Sequence, residues 1–428
     1  MSVLDRIPSI DDGDFAGKRV LLRVDINSPI DRSTGRIVND NRIQKSLPTI
    51  TDLLDKGARL AIIAHQGDTT DYGSLISLEE HASRLAEALG RPVQFVEDVA
   101  GPAAVEKILA LENGEALLLD NIRYLTEEVS TFEDSVKQTP ADMASCYLVR
   151  RLAPEFDCYV NDAFAAAHRN SPSMVAFQAL LPSYAGRLLM QELSALQAIT
   201  ENPARPCIYM LGGSRAGDAF GMIQRVLNDG SADKLLLSGL VGEIFMLADG
   251  IDIGETTRQF ILAKGFEPYI AQATGFLSNH RDKISYPSDV AVESDGARLN
   301  VKLESIGNDM MVSDIGDQTI ADYTEAIAAA KTILVNGPPG IYENELFDKG
   351  TQTLWTAVAD AKGFTVVGGG DSVTSFSRYV DMAKIDYVST AGGALIRYLS
   401  GARLPLIDAI TGRDETWGLG NDYQLRVY

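Results

Sequence analysis

Two groups of residues in this chain have the types and spacing to hold anionic ligands. The first runs through Arg23-Val24-Asp25-Ile26-Asn27-Ser28-Pro29 and Asn39-Asp40-Asn41-Arg42, then His65-Gln66-Gly67-Asp68, Asn121-Ile122-Arg123 and Ala167-His168-Arg169. Asp25 and Asn27 suit hydrogen bonding to a hydroxylated acid. Arg42 suits a carboxylate or phosphate, because a guanidinium presents a planar fork of donors. Each has an ordinary explanation alone: Asp and Asn favour turns, a histidine after a strand is commonly a hydrogen-bonded rim residue, and one arginine pairs with a surface acid. Three arginines, Arg42, Arg123 and Arg169, on one rim of a chain with formal charge −21 point instead to an anion site.

The second group is built on glycine. Leu211-Gly212-Gly213-Ser214-Arg215-Ala216-Gly217-Asp218 passes from an apolar run through two glycines toward a helix. Glycines let backbone approach phosphate, and a helix N-terminus offers free N–H groups. The segment lacks the Gly-x-x-x-x-Gly-Lys-Ser/Thr spacing of a P-loop, and paired glycines are also ordinary turn chemistry. Gly368-Gly369-Gly370-Asp371-Ser372 is more specific. Three glycines followed by Asp and Ser suit a phosphate-bearing nucleotide whose magnesium is held by the carboxylate. Ser389-Thr390-Ala391-Gly392-Gly393 opens another helix and can direct N–H groups at a transferring phosphoryl group.

The elements that must position these residues are legible from hydrophobic patterning. Short apolar runs alternate with segments of helical length, which is the pattern of parallel-sheet α/β proteins. The runs are Arg19–Val24, Leu60–Ala64, Ala116–Leu119 and Cys158–Val160 in the first half. In the second they are Cys207–Leu211, Leu235–Leu237, Ile333–Val335, Thr365–Val367 and Asp386–Val388. Helices are expected over Leu78–Leu89, stopped by Gly90-Arg91-Pro92, and over Arg187–Thr200, broken by Asn202-Pro203. Val290 to Leu299 reads as a hairpin with an Asp295-Gly296 turn. Ligands of open parallel sheets bind beyond the carboxyl ends of the strands. Polar residues follow each first-half run, including Asn161 and Asp162, and glycines follow those of the second. One half thus presents an arginine-bearing rim and the other a glycine-bearing rim, which would form an active site on facing each other.

Composition limits the alternatives. With 428 residues the chain exceeds what one core usually serves, so two domains are expected. A hydrophobic fraction of 45% with 23% charged residues is that of a globular protein. The acidity argues against a nucleic-acid surface, which needs a concentrated basic face. Cys146, Cys158 and Cys207 are too few and scattered for a disulfide framework or zinc site, and four histidines lack ligand spacing. Cys158 and Cys207 lie in apolar runs and are expected to be buried, which favours a reducing compartment. Met1-Ser2-Val3-Leu4-Asp5 begins no secretory signal, and no apolar run reaches membrane-spanning length. A cytoplasmic location is the expectation. The oligomeric state is not legible.

Taken in order, these segments resemble phosphoglycerate kinase, in its archaeal branch, from about Lys18 to Pro405. The most specific are Arg23–Pro29, Val160-Asn161-Asp162-Ala163-Phe164-Ala165-Ala166-Ala167-His168-Arg169, Val335-Asn336-Gly337-Pro338-Pro339-Gly340-Ile341-Tyr342-Glu343 and Gly368–Ser372. The resemblance implies two Rossmann-like parallel-sheet domains across a hinged cleft and phosphoryl transfer between ATP and 3-phosphoglycerate. It implies that Asp25, Asn27, Arg42, His65, Arg123 and Arg169 hold the acid. It implies that Gly213, Gly239, Asn336, Glu343, Gly369, Gly370, Asp371 and Ser372 hold ATP or ADP, with Mg2+ on Asp371. Arg42, Arg215, Gly392 and Gly393 are the candidate catalytic residues. The expected organisation is an acceptor domain over 1–185, a connecting helix over 186–206, a nucleotide domain over 207–403 and a tail over 404–428, with Trp417 and Tyr423 as candidate docking residues.

Three positions depart from the family pattern. Arg215 stands where the family has lysine, Asp68 where it has a phosphate-binding arginine, and Ala391 where it has a glycine. Ser372 replaces a usual threonine. Two further readings therefore stay open at this level: a paralogous kinase acting on another carboxylic acid, and a protein that binds nucleotide or ligand without catalysis.

Overall fold

The computed structural model describes residues 4–68 and 71–412. Trp417 and Tyr423 lie outside the described residues. The chain divides into two compact units, and the division falls between Ser194 and Ala195, inside the helix Arg187–Thr200. Described residues from Arg403 onward belong with the first unit.

The first unit holds a six-stranded parallel sheet. Its strands are β1 (Arg19–Arg23), β2 (Arg59–Ile63), β3 (Val93–Val96), β4 (Ala116–Leu119), β5 (Cys158–Asn161) and β6 (Ser183–Ala185). The spatial order is β3-β4-β2-β1-β5-β6, so the chain reverses its direction of travel across the sheet between β1 and β5. Such a switch point opens a crevice at the strands' carboxyl ends. Val20, Leu22, Leu60, Ile62, Leu118 and Val160 form one core with Ile43, Ile50 and Leu53 of the helix Asn41–Asp55. That helix carries Arg42 on its first turn, so the packing of its apolar face sets where the arginine begins.

The second unit holds another six-stranded parallel sheet, ordered β15-β14-β13-β7-β8-β9. These strands are β7 (Cys207–Leu211), β8 (Lys234–Leu237), β9 (Ile284–Ser285), β13 (Thr332–Asn336), β14 (Phe364–Gly368) and β15 (Tyr387–Val388). Here the switch lies between β7 and β13, which puts the Gly212-Gly213 and Gly337-Pro338 turns side by side. A small antiparallel sheet of β10 (Asp289–Ser294), β11 (Ala297–Lys302) and β12 (Asp314–Ile315) is attached. Its hairpin turns on Asp295 and Gly296, both at positive φ (52° and 76°), the backbone an Asp-Gly hairpin turn requires.

The expected strands are all present, within a residue or two at their ends. Cys158 and Cys207 are buried, and burial pushes both thiols up to about 12. Among the described residues no helix is long and apolar enough to cross a membrane.

Candidate functional site

In the first unit the β1 end brings a buried arginine into the rim. Arg23, 2% exposed, donates from one terminal nitrogen to His65 Nδ1 at 2.8 Å. Its Nε donates to Ser173 Oγ at 3.3 Å, and that hydroxyl donates to Glu128 Oε2 at 2.7 Å. Arginine has no acceptor, so His65 Nδ1 must accept and a neutral ring carries its proton on Nε2. Burial lowers the His65 pKa well below the ordinary value, with Arg23 adding to the effect. Burial also raises Glu128 and lowers Arg23, each opposed by the other's charge. Buried charges of opposite sign bridged by a hydroxyl make this a rigid support for the imidazole.

Asp25 is buried and accepts from Arg42 at 2.5 Å. Burial alone would raise its pKa, but the positive charges of Arg42 and Arg23, with the Asn27 N–H donating to the carboxylate, overcome this and hold it at about 2. Asn27 Oδ1 accepts from the Gly67 N–H at 3.0 Å, joining the β1 loop to the β2 loop. Arg123 donates to the Gly67 carbonyl. Burial, then Arg169 and Arg23, lower its pKa to about 10, with Asp68 and Asp25 working against them. Arg23, Arg123 and Arg169 thus share one electrostatic neighbourhood, and Arg169 is paired with Glu133 at 2.7 Å. Two guanidinium groups acting on a third make a neighbourhood that would gain by receiving an anion.

Several polar rim residues are structural. Asn121 is fully buried and clamps Gln66 in both directions, accepting its N–H at 3.2 Å and donating to its carbonyl at 2.9 Å. Asn161 Oδ1 accepts from the Ala163 N–H in its own turn. Asp162 accepts from the Leu189 N–H at 2.9 Å, and burial pushes its carboxyl up to about 7. Asp68 is exposed, and its N–H donates to Ser74 Oγ at 2.9 Å.

In the second unit the glycine turns interlock. Gly213 N–H donates to the Pro338 carbonyl at 2.8 Å and Gly239 N–H to that of Pro339 at 3.1 Å. Gly239 has φ +52°, and a Cβ there would lie 2.8 Å from the Gly213 nitrogen, so a side chain is excluded twice over. Beside these turns is a cavity of about 260 Å³, with Gly213, Gly239, Pro338, Glu343 and Asp371 on its walls. The rest of its lining is largely apolar, including Leu240, Met246, Val290, Met311 and Val312. A glycine wall beside an apolar wall matches a ligand with a phosphate chain at one end and a flat base at the other.

Asn336 donates to the Gly368 carbonyl at 3.2 Å, linking two strand ends. Gly369 and Gly370 open the helix Gly370–Tyr379, and Asp371 is exposed on its first turn. Ser372 is fully buried, and its Oγ accepts from the Gly337 N–H at 2.7 Å. Arg215 is exposed ahead of the helix Ala216–Asp229, with its charge acting on Asp218. Ala391 is buried and is not among the residues at positive φ, so its methyl group is accommodated without backbone strain. Gly392 and Gly393 begin the helix Gly393–Leu399, and a Cβ on Gly392 would meet nothing within 4 Å. No three His, Cys, Asp or Glu side chains converge as a metal cage among the described residues. One exposed carboxylate on the first turn of a glycine-opened helix nevertheless fits magnesium, which takes one or two carboxylates and completes its shell with water and ligand oxygens.

Two contributors escaped the sequence reading. Arg23 belongs to the first motif and to the run Arg19–Val24 but is not among the residues expected to hold the acid; a charge ending the otherwise apolar Val20-Leu21-Leu22 is the available signal. Glu243 lines the cavity and is the single charge in the helix Gly239–Ala248.

The phosphoglycerate kinase family model matches residues 10–402. The chain is 42% identical to phosphoglycerate kinase of Methanothermus fervidus over 402 residues, covering 94% of this chain and 96% of that one. It is 41% identical to the Sulfurisphaera tokodaii phosphoglycerate kinase, covering 94% and 95%. Among solved structures it is similar to the phosphoglycerate kinase of Pyrococcus horikoshii OT3, with a TM-score of 0.85, 36% identity, and coverage of 96% of this chain and 100% of that one.

Proposed function

Because this chain belongs to the phosphoglycerate kinase family and is therefore a kinase, we propose that the first unit holds 3-phosphoglycerate and the second holds ATP or ADP with Mg2+. The observation that carries the acceptor assignment is the crowding of Arg123 by the charges of Arg169 and Arg23, beside the Asp25–Arg42 pair. The acid offers hydroxyl, carboxylate and phosphate groups, which Asp25, Asn27 and the arginines complement in turn.

In the forward step a carboxylate oxygen of 3-phosphoglycerate bonds to the terminal phosphorus of ATP. The bond from that phosphorus to the bridging oxygen breaks, leaving ADP and an acyl phosphate. The transferring group is mostly stabilised by positioning and charge. Arg42, Arg215 and the N–H groups at Gly392 and Gly393 are the residues proposed to face it. Neutral His65, held by Arg23, donates from Nε2 to the acid. Asn336, Glu343, Gly369 and Gly370 are proposed to hold the nucleotide with Gly213 and Gly239, Ser372 acting through Gly337. Mg2+, held by Asp371 and the phosphate oxygens, would neutralise phosphate charge. Small molecules are the proposed partners, and the cytoplasm is the proposed location.

A coupled assay with ATP, magnesium and 3-phosphoglycerate tests the reading. Expected is an efficiency above ~10⁴ M⁻¹s⁻¹, as for ordinary enzymes. Absence of turnover by protein that binds nucleotide would overturn it. One observation favours a second acceptor: exposed Asp68 acts on Arg123 with a negative charge, which disfavours a phosphate dianion. An acid lacking that phosphate is then the substrate, and Asp68→Arg should sharply improve 3-phosphoglycerate binding.

A further inference from the structure

The cavity of the second unit contains a carboxyl group that the phosphate chemistry does not use. Glu243 is 6% exposed, and its Oε2 is buried without a hydrogen-bond partner. It sits in the helix Gly239–Ala248, whose other residues are Gly, Leu, Val, Ile, Phe, Met and Ala. A carboxyl group desolvated among such neighbours costs free energy unless something pairs with it. Among the described residues no group bonds its Oε2, yet it lines the cavity with Leu240, Met246, Val290 and Val312. The pairing partner must therefore enter with the ligand. On the reading above, the apolar part of that ligand is a nucleotide base.

We propose that Glu243 reads the Watson–Crick edge of a purine, as a neutral acid paired with adenine and as a carboxylate paired with guanine. A neutral carboxyl offers one donor and one acceptor, which match adenine N1 and its N6 amino group. A carboxylate offers two acceptors, which match guanine N1–H and its N2 amino group but repel the N1 lone pair of adenine. This deepens the ATP assignment, on which it rests: the site favours adenine while Glu243 is protonated and turns toward guanine as it ionises. Burial alone raises the Glu243 pKa, to about 8. The other titratable side chains lining the cavity are Lys264, Asp314, Tyr342, Glu343 and Asp371, and none of them adds to the shift. Asp314 is tied to Arg298 at 2.7 Å, and burial raises it only to about 6, below the window that matters.

The test measures ADP and GDP binding, each with magnesium, by calorimetry on the full chain from pH 7 to 8.5. Titration of the phosphates is common to both nucleotides and cancels in their affinity ratio. If adenine needs the acid and guanine the carboxylate, the GDP-to-ADP affinity ratio rises about tenfold per pH unit, or roughly thirtyfold over this range. Glu243→Gln keeps a donor and an acceptor but cannot ionise, so it should retain ADP binding and lose the pH dependence of the ratio. Glu243→Leu fills the space without polar groups and should weaken both nucleotides and flatten the ratio. Thermal midpoints at pH 6, where the native side chain is neutral, check that both variants fold. A pH-invariant ratio in the unaltered protein overturns the inference and leaves the kinase reading intact. So does a Glu243→Leu variant that matches it. Failure to bind either nucleotide at any pH overturns both.

Discussion

The rim of the first sheet is made of charged side chains that already have partners: Arg42 on Asp25, Arg169 on Glu133, Arg123 on the Gly67 carbonyl and Arg23 on His65. The rim of the second sheet is made of glycines bonded backbone to backbone, with an apolar cavity beside them and one carboxyl oxygen left unpaired. Both lie at a topological switch point of a six-stranded parallel sheet, so architecture does not distinguish them. The difference lies in how an anion is met. A site of side chains must stay charge-balanced while empty, so its ligand exchanges one set of partners for another. A site of glycines stays neutral and depends on shape, leaving identity to whichever polar group remains unsatisfied.

Removing a side chain should therefore do most damage in the first unit. Arg23→Met leaves Glu128 buried without its opposing charge and frees His65, so a loss of about 3–5 kcal/mol in that unit's stability is expected. Denaturant unfolding followed by a probe in the first unit reads this, and an unchanged midpoint would remove Arg23 from the supporting role. In the second unit the sensitive change is addition. Gly239→Ala combines a left-handed backbone with overpacking against Gly213, which should weaken ADP binding by roughly a hundredfold. Near-native affinity would mean that this turn is not packed as tightly as its geometry indicates. Asp371→Ala should cost less, about tenfold in binding of ATP with magnesium and little without the metal. Equal losses with and without magnesium would count against a metal role.

The smallest expected effects concern pH and differ in sign between the units. Asp25 has a folded pKa of about 2, below the ~3.9 of a free side chain. Its charge contributes stability in full above pH ~4, and the contribution disappears as pH falls through about 2. Glu243 is the reverse. With a folded value of about 8 against an ordinary ~4.3, it costs increasing stability as pH rises from ~4 toward 8. Asp25→Asn should thus flatten the acid limb of the thermal midpoint profile, and Glu243→Gln the limb between pH 5 and 8. Identical profiles for both variants would erase the contrast.

Sequence patterning made the central strands legible because they are apolar on both faces. The edge strands β3 and β6 were not read. Val93–Val96 is only partly buried, and Ser183–Ala185 is three residues long, so neither forms a continuous apolar run. β9, with two residues, carries no pattern at all. The polar rims were legible as composition but not as roles. Asn121 and Asn161 resemble Asn27 in sequence, yet only burial and partners reveal that Asn121 clamps the β2 loop and Asn161 its own turn. Glu243 was invisible for the opposite reason, since one acid among apolar residues looks like an interruption until a cavity gives it a direction.

Hydrogen exchange measured with one ligand at a time tests the division of labour most directly. The outcome expected with 3-phosphoglycerate alone is protection at the strand ends of the first sheet, in segments 23–28, 65–68 and 121–123. ADP with magnesium alone should protect 211–215, 336–343 and 368–372. Protection by the acid in the glycine segments, or by the nucleotide in the arginine segments, would contradict the assignment of the two sites.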